Sequence, residues 1–167
     1  MRKETYEDVA VEYGAALSRL ARAYEADPEI CRDLLQDIHV ALWKSLKSFD
    51  GRCSLRTWVY RVAHNVAASH VLRGARARMR HMVSLEELDI AANEEGAEVV
   101  VDRRQALERL MELIRRLNPL DRQIILCYLE GVDAPAIGEV TGMSSGAVST
   151  KVHRIKNILV RRFHEKE

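Results

Sequence analysis

Apolar residues three and four positions apart run through this chain from Tyr6 to Leu159. That is the period of an amphipathic helix, whereas a half-buried strand would alternate every second residue. Tyr6, Val9, Tyr13, Leu17, Leu20 and Tyr24 make one stripe, and Ile30, Leu34, Ile38, Leu42 and Leu46 make the next. Between them Asp27 is placed to cap, Pro28 suits the first helical position, and Glu29 favours the positive end of the helix dipole. The reverse side of this second helix carries Asp33, Gln36, Asp37 and Val40. After an Asp50-Gly51 turn, Ser54 can cap a third helix. Its inward set is read as Leu55, Trp58, Val59, Val62, Val66 and His70, and its outward set as Arg56, Thr57, Arg61, His64 and Asn65. The pattern constrains the chain to an all-α fold.

The stripes stop where the composition flips. Arg73, Arg76, Arg78 and Arg80 cluster behind the third helix. From His81 to Asp102 there is no Lys or Arg, while Glu86, Glu87, Asp89, Glu94, Glu95 and Glu98 are acidic. Residues 81–102 are therefore expected to form an exposed, flexible acidic linker between two small helical domains, 1–80 and 103–167. The linker also accounts for the charge balance. Lys+Arg 26 against Asp+Glu 25 leaves +1 because the acidic stretch cancels basic patches on either side. So neutral a total neither requires nor excludes a nucleic-acid partner; the arrangement of charge decides.

Past the linker, Leu107, Leu110, Ile114 and Leu117 form one apolar face, and Leu120 to Glu130 reads as a helix closed by Gly131. Asp133 can cap a short helix that tolerates Pro135 in its first turn. Gly138 is small where two helices must cross, and Gly142 can end the short helix at positive φ. Met143 fills the corner and Ser144 caps the last helix. There Val148, Val152, Ile155 and Leu159 make a single apolar stripe. Ser145, Ser149, Thr150, His153, Arg154 and Asn157 lie away from it, with Lys151 and Lys156 at its edges. Short hydroxyls near the start allow close approach to base edges, and cations further along can reach phosphates. This is the pattern of a helix-turn-helix whose second helix enters the major groove.

Other chemistries find little support. Cys31, Cys53 and Cys127 lack metal-type spacing and are expected to be reduced thiols. No P-loop, HExxH or dinucleotide fingerprint occurs, so no cofactor, metal or catalytic residue is expected. The first ten residues are charged without an apolar core, and no apolar run approaches the ~20 residues of a membrane span, so a cytoplasmic protein is expected. In the third helix, Trp58 and Tyr60 sit among Arg56, Arg61 and Asn65. Aromatic rings among cations can hold unstacked bases. Trp58 serves equally well as a core residue, and Tyr60 is expected at the surface.

Four strings carry a resemblance: "DLLQDIHVALW", "SLRTWVYRVAHNVA", "LNPLDRQIILCYLEG" and "GMSSGAVSTKVHR". In this order and at this chain length they resemble a bacterial RNA polymerase sigma factor of the small extracytoplasmic-function type. The resemblance implies that Asp33, Leu34, Gln36 and Asp37 dock on core RNA polymerase. It implies that the Phe49–Ser54 loop, with Phe49, Asp50, Arg52 and Ser54, captures a flipped base of the −10 element. The helix from Leu55 to Asn65, with Trp58, Tyr60, Arg61 and Asn65, would melt the promoter. Ser145, Ser149, Thr150, Lys151, His153, Arg154 and Lys156 would read the −35 element. The implied partners are core polymerase, double-stranded promoter DNA, the melted −10 single strand and an anti-sigma factor. The sequence departs from the family pattern at His39, usually phenylalanine, at Gly138, usually alanine, and at Ala147, Lys151 and Ser69. The competing reading is a free-standing helix-turn-helix regulator whose N-terminal helices sense or dimerise. It would need neither an Asp33/Gln36/Asp37 docking face nor a strand-opening helix.

Overall fold

The computed structural model describes residues 5–77 and 103–165. Seven α-helices order these residues: α1 (Tyr6–Tyr24), α2 (Pro28–Ser45), α3 (Leu55–Ala77), α4 (Arg103–Arg115), α5 (Pro119–Leu129), α6 (Ala134–Thr141) and α7 (Ser145–His164). The expected linker, 81–102, lies outside the described residues, as do Arg78 and Arg80.

The caps fall where the sequence places them. Asp27 accepts from the Glu29 and Ile30 amides ahead of α2, with Pro28 in the first turn. Asp133 accepts from Ala136 N, and Ser144 from Ala147 N, at the starts of α6 and α7. Each satisfies a helix-end donor that has no partner within its own helix. Tyr6 at the start of α1 bonds His39 near the end of α2, so these two helices run antiparallel. Leu17, Leu34, Ile38 and Leu42 are fully buried between them and α3.

The two helical groups share one core. α3 packs on α1 and α2 on one side and on α5 and α6 on the other, while α4 lies against both α1 and α7. The buried cluster runs without a break from Val9 to Leu159. Two expectations for α3 are corrected here. Thr57 and His64, read as outward, are 2% and 0% exposed, because this helix is covered on both sides.

Candidate nucleic-acid and polymerase interface

The turn between α6 and α7 sets the geometry of the C-terminal site. Gly142 caps α6 at φ 77, and its amide bonds Gly138 O at 2.8 Å. A Cβ on Gly138 would stand 2.5 Å from Met143 O, so a side chain there is refused by backbone. This close crossing lets α7 pack Val148, Val152, Ile155 and Leu159 inward, all buried. Ser145, Ser149, Thr150, His153, Arg154 and Lys156 then face solvent together.

These outward groups differ in freedom. Ser149 Oγ donates to Ser145 O and Thr150 Oγ1 to Gly146 O, each at 3.0 Å, which leaves their oxygens as acceptors. His153 Nε2 pairs with Asn157 Nδ2 at 3.1 Å. Lys156 Nζ lies 5.1 Å over the Tyr128 ring and donates to its hydroxyl. Arg154 is exposed and makes no hydrogen bond or ion pair among the described residues. Lys151, expected to reach phosphate, is instead half-buried and paired with Asp121 of α5.

The N-terminal sites divide more sharply. Asp33, Gln36 and Asp37 are exposed along one side of α2, in line with Val40 and a half-exposed Trp43. Leu34 is fully buried and offers no surface to a partner. In the loop before α3, Gly51 turns at φ 75, and Arg52 reaches back to Asp50 at 3.0 Å. Ser54 Oγ accepts from Thr57 N, as a cap should. Phe49 is half-buried, its ring 5.5 Å from Trp58. Trp58 is 7% exposed, which decides for its core reading. Tyr60, expected at the surface, is 2% exposed: it packs edge-on to Tyr13, and burial pushes its hydroxyl up to about 12. Arg61 is half-buried beside Cys53, and Asn65 is exposed.

Comparison with known proteins decides the family. Residues 10–77 match Sigma-70 region 2, and residues 107–159 match Sigma-70, region 4. The chain belongs to the extracytoplasmic-function sigma factors. It is 29% identical over 149 residues to the RNA polymerase sigma factor NccH of Alcaligenes xylosoxydans xylosoxydans, covering 86% of this chain and 78% of that one. It is 28% identical over 160 residues to CnrH of Cupriavidus metallidurans, covering 92% and 84%. Two solved structures share the fold, each at TM-score 0.68. One is CnrH in complex with the cytosolic domain of CnrY, at 20% identity, covering 97% of this chain and 89% of that one. The other is the sigma factor RpoE with the anti-sigma factor NepR from Bartonella quintana, at 19% identity, covering 92% and 93%.

This sigma factor also carries a polar seam that its sequence did not announce. Glu130, at the end of α5, takes a bidentate pair from Arg19 of α1 at 2.7 and 2.8 Å. Tyr60 donates to the same carboxylate at 3.5 Å, and Arg56 donates to the Glu130 carbonyl. Nearby, His64 of α3 is wedged between the Tyr24 hydroxyl at 2.9 Å and the Cys127 sulfur at 3.3 Å. A proton on Nε2 satisfies both contacts, with Tyr24 donating to Nδ1. Burial pushes this imidazole down to about 3 and the Cys127 thiol up to about 12. Arg122, itself buried, donates to Leu117 O and stacks 5.0 Å over Tyr24. Apart from the Arg122–Leu117 bond, each of these contacts joins residues dozens of positions apart, and no local pattern could have revealed them. Among the described residues no group of three or more His, Cys, Asp or Glu could hold a metal ion, and no helix is long and apolar enough to cross a membrane.

Proposed function

We propose that this sigma factor docks on core RNA polymerase through the outer face of α2, reads −35 DNA with α7, and opens the −10 region with the α3 segment. Transcription initiation with core polymerase and promoter DNA is the function of its family, and the residue roles are the proposal. The observation that carries it is the exposed Asp33/Gln36/Asp37 row on α2, in a chain that also presents a helix-turn-helix. A free-standing regulator has no use for that row.

Complementary charge steers and orients a partner more than it adds affinity, so the carboxylates set the docking register. Val40 and Trp43, beside them, supply apolar area. In α7, Arg154 offers a fixed donor fork for guanine or phosphate, and Ser149 and Thr150 offer acceptors to base-edge donors. Lys156 acts through phosphate. For melting, the accessible groups are Arg52, Arg61 and Asn65. Trp58 supports them from the core, and Tyr60 joins them only when the two helical groups part. The family resemblance, together with the two solved complexes of similar fold, supports an anti-sigma factor as a further partner. Residues 81–102 are proposed as the linker between two domains, 1–80 and 103–167.

The test is a core-polymerase titration of the parent chain and of D33A/D37A. The double variant should bind several-fold more weakly with unchanged helical content, because both side chains are exposed. Equal binding would reject α2 as the docking face.

A further inference from the structure

We propose that Glu130 is a latch that holds the sigma factor in a closed resting form unable to bridge its promoter. The inference goes beyond the function above and rests on it in one respect, the spacing of the two DNA elements.

The −35 and −10 positions are 25 base pairs apart, about 85 Å along B-form DNA at 3.4 Å per pair. A compact chain of 167 residues has a radius of gyration of about 15 Å and is about 40 Å across. DNA this short is stiff, with a persistence length of about 150 base pairs, so it does not fold back to meet the protein. The closed body therefore engages one element at a time. Bridging requires the α1–α3 group and the α4–α7 group to separate.

Closure also covers part of the helix meant for melting. Tyr60 and His64 of α3 lie under α5 and its following turn. Three residues of the N-terminal group, Arg19, Arg56 and Tyr60, converge on one residue across the seam. Gly131, at φ 72, turns the chain after α5 so that the Glu130 side chain and carbonyl both face the N-terminal group. The carboxylate collects Arg19 and Tyr60, and the carbonyl collects Arg56. A second strut lies one turn further along α1, where Arg115 donates to Arg22 O at 2.9 Å. The seam also has an apolar part, since α3 packs on α5 and α6 and the buried cluster is continuous across it. The Arg19 side chain is 49% exposed and that of Glu130 20%, so the pair is strong enough to bias the equilibrium and weak enough to yield to polymerase.

The experiment uses the full chain and two readouts, small-angle X-ray scattering and core-polymerase titration, on the parent, R19E, E130Q and R19E/E130Q. R19E sets two carboxylates face to face; E130Q keeps the side chain's size and removes its charge. Both positions lie outside the core, so helical content should hold. The parent should scatter as a compact particle. R19E should expand it and raise apparent polymerase affinity about three- to tenfold, as expected when a larger fraction is binding-competent. E130Q should do the same less strongly, and R19E/E130Q should be more compact than R19E. An extended parent, or R19E and E130Q curves that superimpose on the parent's, would overturn the latch. Should no variant retain polymerase, the sigma reading fails, while the scattering still decides the latch by itself.

Discussion

α7 and α3 are both helices with a basic outward-looking sequence, yet the structure uses them in opposite ways. α7 has one buried stripe, Val148/Val152/Ile155/Leu159, and one wet face. α3 is buried on two sides, by α1 and α2 and by α5 and α6. A helix at the edge of a fold needs only one apolar stripe, and its period is plain. A helix between two layers needs a second inward face, and that face can be built from polar groups if each finds a partner. Thr57 finds Ser54, Tyr60 finds Glu130, and His64 finds Tyr24 and Cys127.

The largest effect should come from the side of the comparison that looked simplest. G138A forces a methyl against Met143 backbone, which side-chain adjustment does not relieve. It should cost about 3 kcal/mol in thermal or urea unfolding of the C-terminal group and abolish specific DNA binding. A G138A protein of parental stability would mean that the α6–α7 crossing is loose, and that α7 is not held as described.

The polar face of α3 should show itself through pH. His64 is neutral in the fold, its pKa pushed down to about 3 by burial, whereas the unfolded imidazole titrates near 6.5. Below pH 6.5 the unfolded chain binds the extra proton. Stability is therefore full above that pH, falls as pH drops, and levels off near 3. Between pH 7 and pH 5 the loss should be about 2 kcal/mol. Tyr24 and Cys127, the groups that face the ring, are both neutral across this range, since burial raises each of their pKa values. H64Q, measured by urea unfolding at both pH values, should lose most of this slope. An unchanged slope in H64Q would place the acid sensitivity elsewhere.

On the wet face of α7 the effects are smaller and can be sorted. R154A should cost about 1.5 kcal/mol at one base position and relax preference there. K156A should weaken all sites alike and reduce the salt slope by roughly one. K151A should leave the salt slope unchanged and cost less than about 1 kcal/mol of stability, since Lys151 is committed to Asp121. A panel of single-base-pair variants at two salt concentrations reads all three. A K151A slope as altered as that of K156A would show that the ion pair opens on DNA.

Legibility in the sequence follows the same division. The helices, the Asp27, Ser54, Asp133 and Ser144 caps and the Gly142 turn rest on residues within four positions of one another, and they could be read locally. So could the solvent side of α7 and the Asp33/Gln36/Asp37 row. Several of the misreadings involve a partner far along the chain, although Thr57, also read as outward, bonds Ser54 only three positions away. Tyr60 was expected outside because Glu130 is 70 positions away, and His64 because Cys127 is 63 positions away. The pairing of Lys151 with Asp121 was equally out of local view, because Asp121 lies on another helix. Leu34 was assigned to docking by resemblance, although its own stripe already placed it inward.

As proposed above, the chain is an initiation subunit that works only with polymerase. The most direct measurement is run-off transcription by core polymerase on linear duplex templates randomised across both promoter elements, with transcript starts sequenced. Starts should depend on the chain and cluster behind a preferred pair of elements. D33A/D37A should suppress them, and pre-melted templates should rescue R61A/N65A. Binding of the chain to duplex DNA with no chain-dependent starts would contradict this role, and would make the protein a helix-turn-helix regulator that acts without entering the polymerase.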